Sequence, residues 1–198
     1  MRKPLGRCRI AVALAAGMLA TGCGASAPAK FYTLAASATP DGLAPASYGV
    51  VVTQVAVPSV VDRPQFVVQV APNRVEIDEF NRWAAPLNET IADAVAANLS
   101  LQLGTPNVAT ALRASFEPSY RVSLDIQRFD SIPGEAVVVE AVWAVTKIST
   151  GRTFSERTAA RESVQGNEFD ALAAAHSKAL TTVTREIAKG IRASAAVR

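Results

Sequence analysis

The sequence predicts an α+β fold: a single domain in which an antiparallel or mixed β-sheet is packed by two main helices. Three observations carry this expectation. Valine-rich runs alternate at a period of two before residue 86 and again from Tyr120 to Ser163, with Pro, Gly and Asp turns between them. The period lengthens to four residues from Pro86. It does so again from about Glu168 to Ala195, where one long amphipathic stretch ends the chain.

Phe31-Tyr32-Thr33-Leu34 reads as a first strand, followed by an Ala/Pro/Ser loop through Ser47 that contains Asp41-Gly42. Tyr48 to Val57 alternates around Val50, Val52, Val55 and Val57 and is closed by Pro58. Phe66 to Val70 and Val75 to Ile77 flank Ala71-Pro72-Asn73-Arg74 as a hairpin. Leu87, Ile91, Val95 and Leu99 then define one apolar helix face, with Asn88, Glu89, Asp93 and Asn98 off it, and Gly104-Thr105-Pro106 ends the helix. Val108 to Leu112 fits neither period. Tyr120, Val122, Leu124 and Ile126 alternate with polar residues in a half-buried strand. Ala136 to Ile148 carries valines on both faces and is expected at the centre of its sheet. Thr150-Gly151 turns the chain into Arg152 to Ser163, so the last three strands form a meander. The final helix sets Phe169, Leu172, His176, Leu180, Val183, Ile187 and Ile191 on one stripe.

None of this includes the start of the chain. Basic Arg2, Lys3, Arg7 and Arg9 precede an apolar run from Ile10 to Ala20, too short to span a bilayer, which takes about 20 apolar residues. Ala20-Thr21-Gly22-Cys23 follows and resembles the lipobox of bacterial lipoproteins, with Ala20 where leucine is common. Residues 1–22 are therefore read as a lipoprotein signal peptide and residues 23–30 as a lipidated tether, with diacylglycerol and an N-acyl chain such as palmitate on Cys23. Several acyl chains give stable anchoring where one is marginal. Gly24 stands where an inner-membrane retention signal places Asp, so the expected site is the inner leaflet of the outer membrane, facing the periplasm.

Four of the 20 basic residues leave with the leader, and the mature chain keeps 16 against 17 acidic ones. The basic balance needed for nucleic-acid binding is thereby lost. Cys8 also leaves, and with Cys23 acylated no thiol remains for a disulfide, a metal cluster or a nucleophile. A single histidine, His176, makes neither a zinc site nor a serine triad with ordinary parts. The expectation is a protein that is not an enzyme, holds no metal and needs no cofactor beyond its covalent lipid.

Asp62-Arg63-Pro64-Gln65, Asn73-Arg74-Val75-Glu76 and Phe80-Asn81-Arg82-Trp83-Ala84-Ala85-Pro86-Leu87, following Phe31-Tyr32-Thr33-Leu34 and a lipobox, resemble the PqiC family of ABC-type transport auxiliary lipoproteins. The resemblance covers nearly all of the mature chain and is sharpest from Arg63 to Leu87. It implies that residues 31–198 form one auxiliary domain working with a periplasmic MCE-domain protein and an ABC permease and ATPase in lipid transport between two membranes. It also makes a homo-oligomer plausible.

Arg63, Arg74, Arg82 and Trp83 are the candidate partner-binding residues. Their plainer reading is internal: the arginines pairing with Glu76, Asp78 and Glu79, and Trp83 with Phe80 seating the first helix on the sheet. His176 on the apolar stripe reads as a hydrogen-bonded residue at the core edge rather than a catalytic base. A second functional class, an outer-membrane lipoprotein that activates a cell-wall synthase, shares the anchor and the size but calls for a long tether, and Gly24 to Lys30 is seven residues.

Overall fold

The computed structural model describes residues 28–111 and 116–196; Cys23, the leader and most of the tether lie outside them, as does Leu112. Eight strands divide between two mixed sheets and two helices pack against them in one α+β domain. The strands are β1 (Lys30–Tyr32), β2 (Val50–Ala56), β3 (Gln65–Ala71), β4 (Arg74–Trp83), β5 (Val108–Ala109), β6 (Tyr120–Ile132), β7 (Ala136–Lys147) and β8 (Thr153–Ser163). Helix α1 is Leu87–Leu103 and helix α2 is Phe169–Ala196.

The larger sheet has the order β5-β2-β6-β7-β8. The meander β6-β7-β8 is antiparallel, and β2 runs parallel to both β5 and β6. Strand β7 is flanked on both sides, as its valines predict, and Val137, Val139, Ala141, Trp143 and Val145 are at most 1% exposed beneath α2. The other sheet, β1-β4-β3, is the predicted hairpin extended by β1, which lies parallel to β4.

Two irregularities lengthen strands beyond what strict alternation allows. In β6 the register shifts between Ile126 and Arg128, so Gln127 is an extra residue and both Ile126 and Phe129 turn inward. In β4 the partner of Phe66 is Asp78 but the partner of Gln65 is Arg82, which inserts Glu79, Phe80 and Asn81. The Asp78 carboxylate holds this bulge, accepting hydrogen bonds from the Phe80 and Asn81 backbone N–H at 2.9 and 2.7 Å and from the Asn81 side chain at 2.9 Å. A period-two reading stops at each insertion, which is why β4 and β6 run well past Ile77 and Gln127.

The placement of Asn98 off the buried face of α1 is corrected by the structure. Asn98 is fully buried, with Thr90 and Gln102 also covered, because the segment between β1 and β2 crosses both helices as a strap. The Asn98 Oδ1 accepts from the backbone N–H of Ser37 at 3.0 Å, the backbone N–H of Ala38 at 2.9 Å and the Thr181 hydroxyl at 3.3 Å. Ser177 accepts from the Ala35 N–H, and Arg192 holds Asp41 and the Ala44 carbonyl farther along. Helix α1 thus buries apolar residues toward β2 and polar ones toward the strap. Asn98→Leu keeps the volume but leaves two strap N–H groups without an acceptor, and is expected to cost about 2–4 kcal/mol. Urea unfolding checks this, and a loss below about 1 kcal/mol would remove the strap from the account of stability.

Helix α1 ends where expected. Gly104 adopts a left-handed conformation, φ 64°, and its N–H and that of Thr105 bond back to the Leu101 and Ser100 carbonyls.

Candidate functional site

Three places carry the residues with chemical potential: the two ends of the β3-β4 hairpin, a buried aromatic cluster, and a groove beside the C-terminal half of α2.

The hairpin divides the four candidate partner-binding residues. Arg63, Arg82 and Trp83 gather at one end, where the Trp83 N–H donates to the Pro64 carbonyl at 2.7 Å. Arg74 is exposed at the opposite, turn end, across the paired span of β3 from Gln65 to Ala71 and so about 20 Å away at the usual rise of a strand. Arg82 is tied to Glu79, its Nε donating to the Glu79 carbonyl at 2.8 Å and its guanidinium lying 3.6 Å from the carboxylate. Asp78 pairs with the bulge rather than with an arginine: burial pushes its carboxyl up, but the hydrogen bonds from Asn81 and Phe80 outweigh this and hold it below the ordinary carboxylate value. The Arg63 Nε is buried without a hydrogen-bond partner.

Trp83 is a core residue. It is 5% exposed and stacked on Phe66, with ring centroids 4.3 Å apart, and Phe129 meets it edge-on at 6.0 Å. Phe80, paired with it in the sequence reading, projects from the bulge and is 46% exposed. Tyr32 and Phe169 complete the cluster around Phe66.

His176 lies inside this cluster rather than at its edge. It is fully buried, its ring lies flat on Phe129 at 3.8 Å, and its Nε2 shares a 2.8 Å hydrogen bond with the Ser131 hydroxyl. Desolvation by burial pulls its pKa down to about 3. The Nδ1 has no hydrogen-bond partner, so no carboxylate orients the ring, and Ser131 is 2% exposed. This serine and histidine form a packing hydrogen bond without access for a substrate. Among the described residues no group of His, Cys, Asp and Glu has the arrangement of a metal site. Nor is any helix among them long and apolar enough to cross a membrane.

The groove, about 670 Å³, is bounded by Phe154 and Glu156 of β8, by Arg152, and by Glu186, Lys189 and Gly190 of α2. Gly190 is what brings the helix close: a Cβ there would stand 3.0 Å from two ring atoms of Trp143 and 3.5 Å from Phe154. Phe154 is 47% exposed. No sequence period reveals this groove, since its walls are 30 or more residues apart; the one local signal is a glycine inside a helix that otherwise favours alanine.

The model of the ABC-type transport auxiliary lipoprotein component family matches residues 32–188. Among curated proteins none matches the chain. A solved protein of the DUF330 family from Xanthomonas campestris is 23% identical, with a TM-score of 0.68 over 81% of this chain and 93% of that one. A second solved structure, of an uncharacterized protein, is 22% identical with a TM-score of 0.68, over 83% of this chain and 99% of that one. Both share the fold. The family match over Tyr32 to Ala188 agrees with the resemblance, which covers nearly all of the mature chain and is sharpest from Arg63 to Leu87, so the chain belongs to the ABC-type transport auxiliary lipoprotein component family.

Proposed function

We propose that this protein is a non-catalytic component of a transport system that moves lipid between two membranes, held by acyl chains on Cys23 at the inner leaflet of the outer membrane. The observation that carries this reading is the family match over residues 32–188, which makes the protein an auxiliary lipoprotein of ABC-type transport. A transporter partner follows from that role. An MCE-domain conduit and an ABC permease with its ATPase are the partners the sequence resemblance implies. The role is geometric: the lipid holds the domain at the leaflet, and a domain surface receives the conduit where cargo is to be inserted. The family's description as an auxiliary transport component is consistent with a role that involves no bond-breaking. The family match gives no support to the activation of a cell-wall synthase.

Two measurements test the proposal. Cys23→Ala is expected to abolish incorporation of labelled fatty acid and to move the protein from the membrane to the soluble fraction; continued labelling would end the anchor. Capture of partners from detergent-extracted membranes is expected to recover an MCE-domain protein. Recovery of a penicillin-binding protein without one would overturn the lipid-transport reading.

A further inference from the structure

One face of the three-stranded sheet carries exposed apolar side chains on β1 and β4, although Val67 of β3 on the same face is buried. Cross-strand partners share a face, and the register pairs Phe31 with Arg82, Gln65 with Arg82, Val67 with Ile77 and Gln69 with Val75. Phe31, Arg82, Ile77 and Val75 therefore project on one side, opposite Tyr32, Phe66 and Trp83, which face the core. On that side Phe31 is 64% exposed, Val75 45% and Ile77 42%. Phe80 projects from the bulge of the same sheet and is 46% exposed. Five of the exposed large apolar side chains among the described residues, Phe31, Val70, Val75, Ile77 and Phe80, thus belong to one small sheet, and such a concentration of exposed apolar area marks an interaction site more often than a solvated one.

The position of this face in the chain says what covers it. Strand β1 starts at Lys30, and only Gly24 to Lys30 separate Phe31 from the acyl-bearing Cys23. Even fully extended, eight residues reach about 28 Å, so β1 and its sheet stay within that distance of the anchor. We propose that the outer face of the β1-β4-β3 sheet rests on the phospholipid surface, with Phe31, Ile77, Val75 and Phe80 at the boundary between headgroups and acyl chains. This rests on anchoring at Cys23. The acyl chains supply affinity; the sheet face supplies orientation. The consequence is a domain that lies in one attitude on the membrane instead of swinging on its tether, which fixes the direction in which a partner is received.

The test uses the mature, lipidated protein in vesicles of phosphatidylethanolamine and phosphatidylglycerol, with and without bromine on the acyl chains. Phe31→Trp and Ile77→Trp place reporters on the exposed face, and Leu101→Trp places one on an exposed position near the far end of α1. The native Trp83 and Trp143 are buried and give a constant background. Emission of the first two is expected to shift to the blue in plain vesicles and to be lost in brominated ones, with the Leu101→Trp protein unchanged. Protein that floats with the vesicles while Phe31→Trp stays as unquenched as Leu101→Trp would overturn the sheet contact and leave the anchor intact. Protein that fails to float would overturn the anchor and the orientation built on it. A blue shift that grows with concentration when Phe31→Trp is combined with Cys23→Ala in vesicle-free buffer would assign the face to a second copy of the chain and overturn the membrane contact.

Discussion

Trp83→Ala is expected to destabilise the domain by about 3–5 kcal/mol, the usual cost of emptying a large aromatic site in a packed core. The indole fills the junction of the small sheet, α2 and β6: it stacks on Phe66 and lies against Phe129 and His176. Truncation therefore removes contacts from three elements at once, and the rigid strand β6 leaves little room for collapse. Urea unfolding at neutral pH measures the loss, and a change below about 1 kcal/mol would show that the ring is not the keystone of this cluster. The size of the effect also governs how a partner role is tested. An alanine variant that captures no partner reports only a damaged fold, whereas Trp83→Phe keeps an aromatic in the stack. If Trp83→Phe unfolds near the native midpoint yet loses transporter capture, the ring is read directly; equal capture places its contribution in the fold.

Acidification is expected to weaken the fold through His176 well before most carboxylates protonate. Its folded-state pKa of about 3 lies below the ordinary 6.5, so the unfolded chain takes up a proton that the native core refuses. Stability is then full above pH 6.5 and falls as pH drops toward 3, at about 1.4 kcal/mol per unit, with roughly 2 kcal/mol gone by pH 5 and about 4 by pH 3. Below about pH 3 the native state also binds the proton and the slope flattens. Asp78 contributes with the same sign but in a lower window, because its carboxyl is held below 3.8 by the bulge N–H groups despite its burial. The range from pH 6.5 to 5 is accordingly the one that isolates the histidine. His176→Gln, which retains a donor and an acceptor toward Ser131, is expected to flatten the stability profile there. A profile of unchanged slope in the variant would move the origin of the acid sensitivity elsewhere.

The two effects meet in one cluster, and its members show how unevenly the sequence reveals its structure. Phe66, Trp83, Phe129 and His176 come from β3, β4, β6 and α2. Periodicity puts His176 on a buried stripe and the hairpin pattern puts Phe66 on a strand, but neither tells that the two meet. Phe129 is hidden from any alternation rule, since it faces inward only because Gln127 is an extra residue in β6. Trp83 was legible as a residue of interest through Arg82-Trp83-Ala84-Ala85-Pro86-Leu87, and its core position agrees with the plainer of its two readings. Among the arginines of the motifs, Arg63 and Arg82 meet at one end of the hairpin and Arg74 is parted from both by its length.

By itself the sequence determined the features that act over a few residues: the hairpin turn at Pro72-Asn73, the period of each helix, the meander from Tyr120 to Ser163, and through its ordered motifs the family. These depend on local sterics and on the spacing of side chains along one element, both of which are written in neighbouring positions. Tertiary structure alone decided that the strands divide between two sheets, that Asn98 is buried beneath a strap, that β4 bulges at Asp78, and that Phe31, Ile77 and Val75 share one face. Each of those depends on which element lies across from which, a choice made by the global burial of apolar surface and the pairing of backbone groups between segments far apart in the chain.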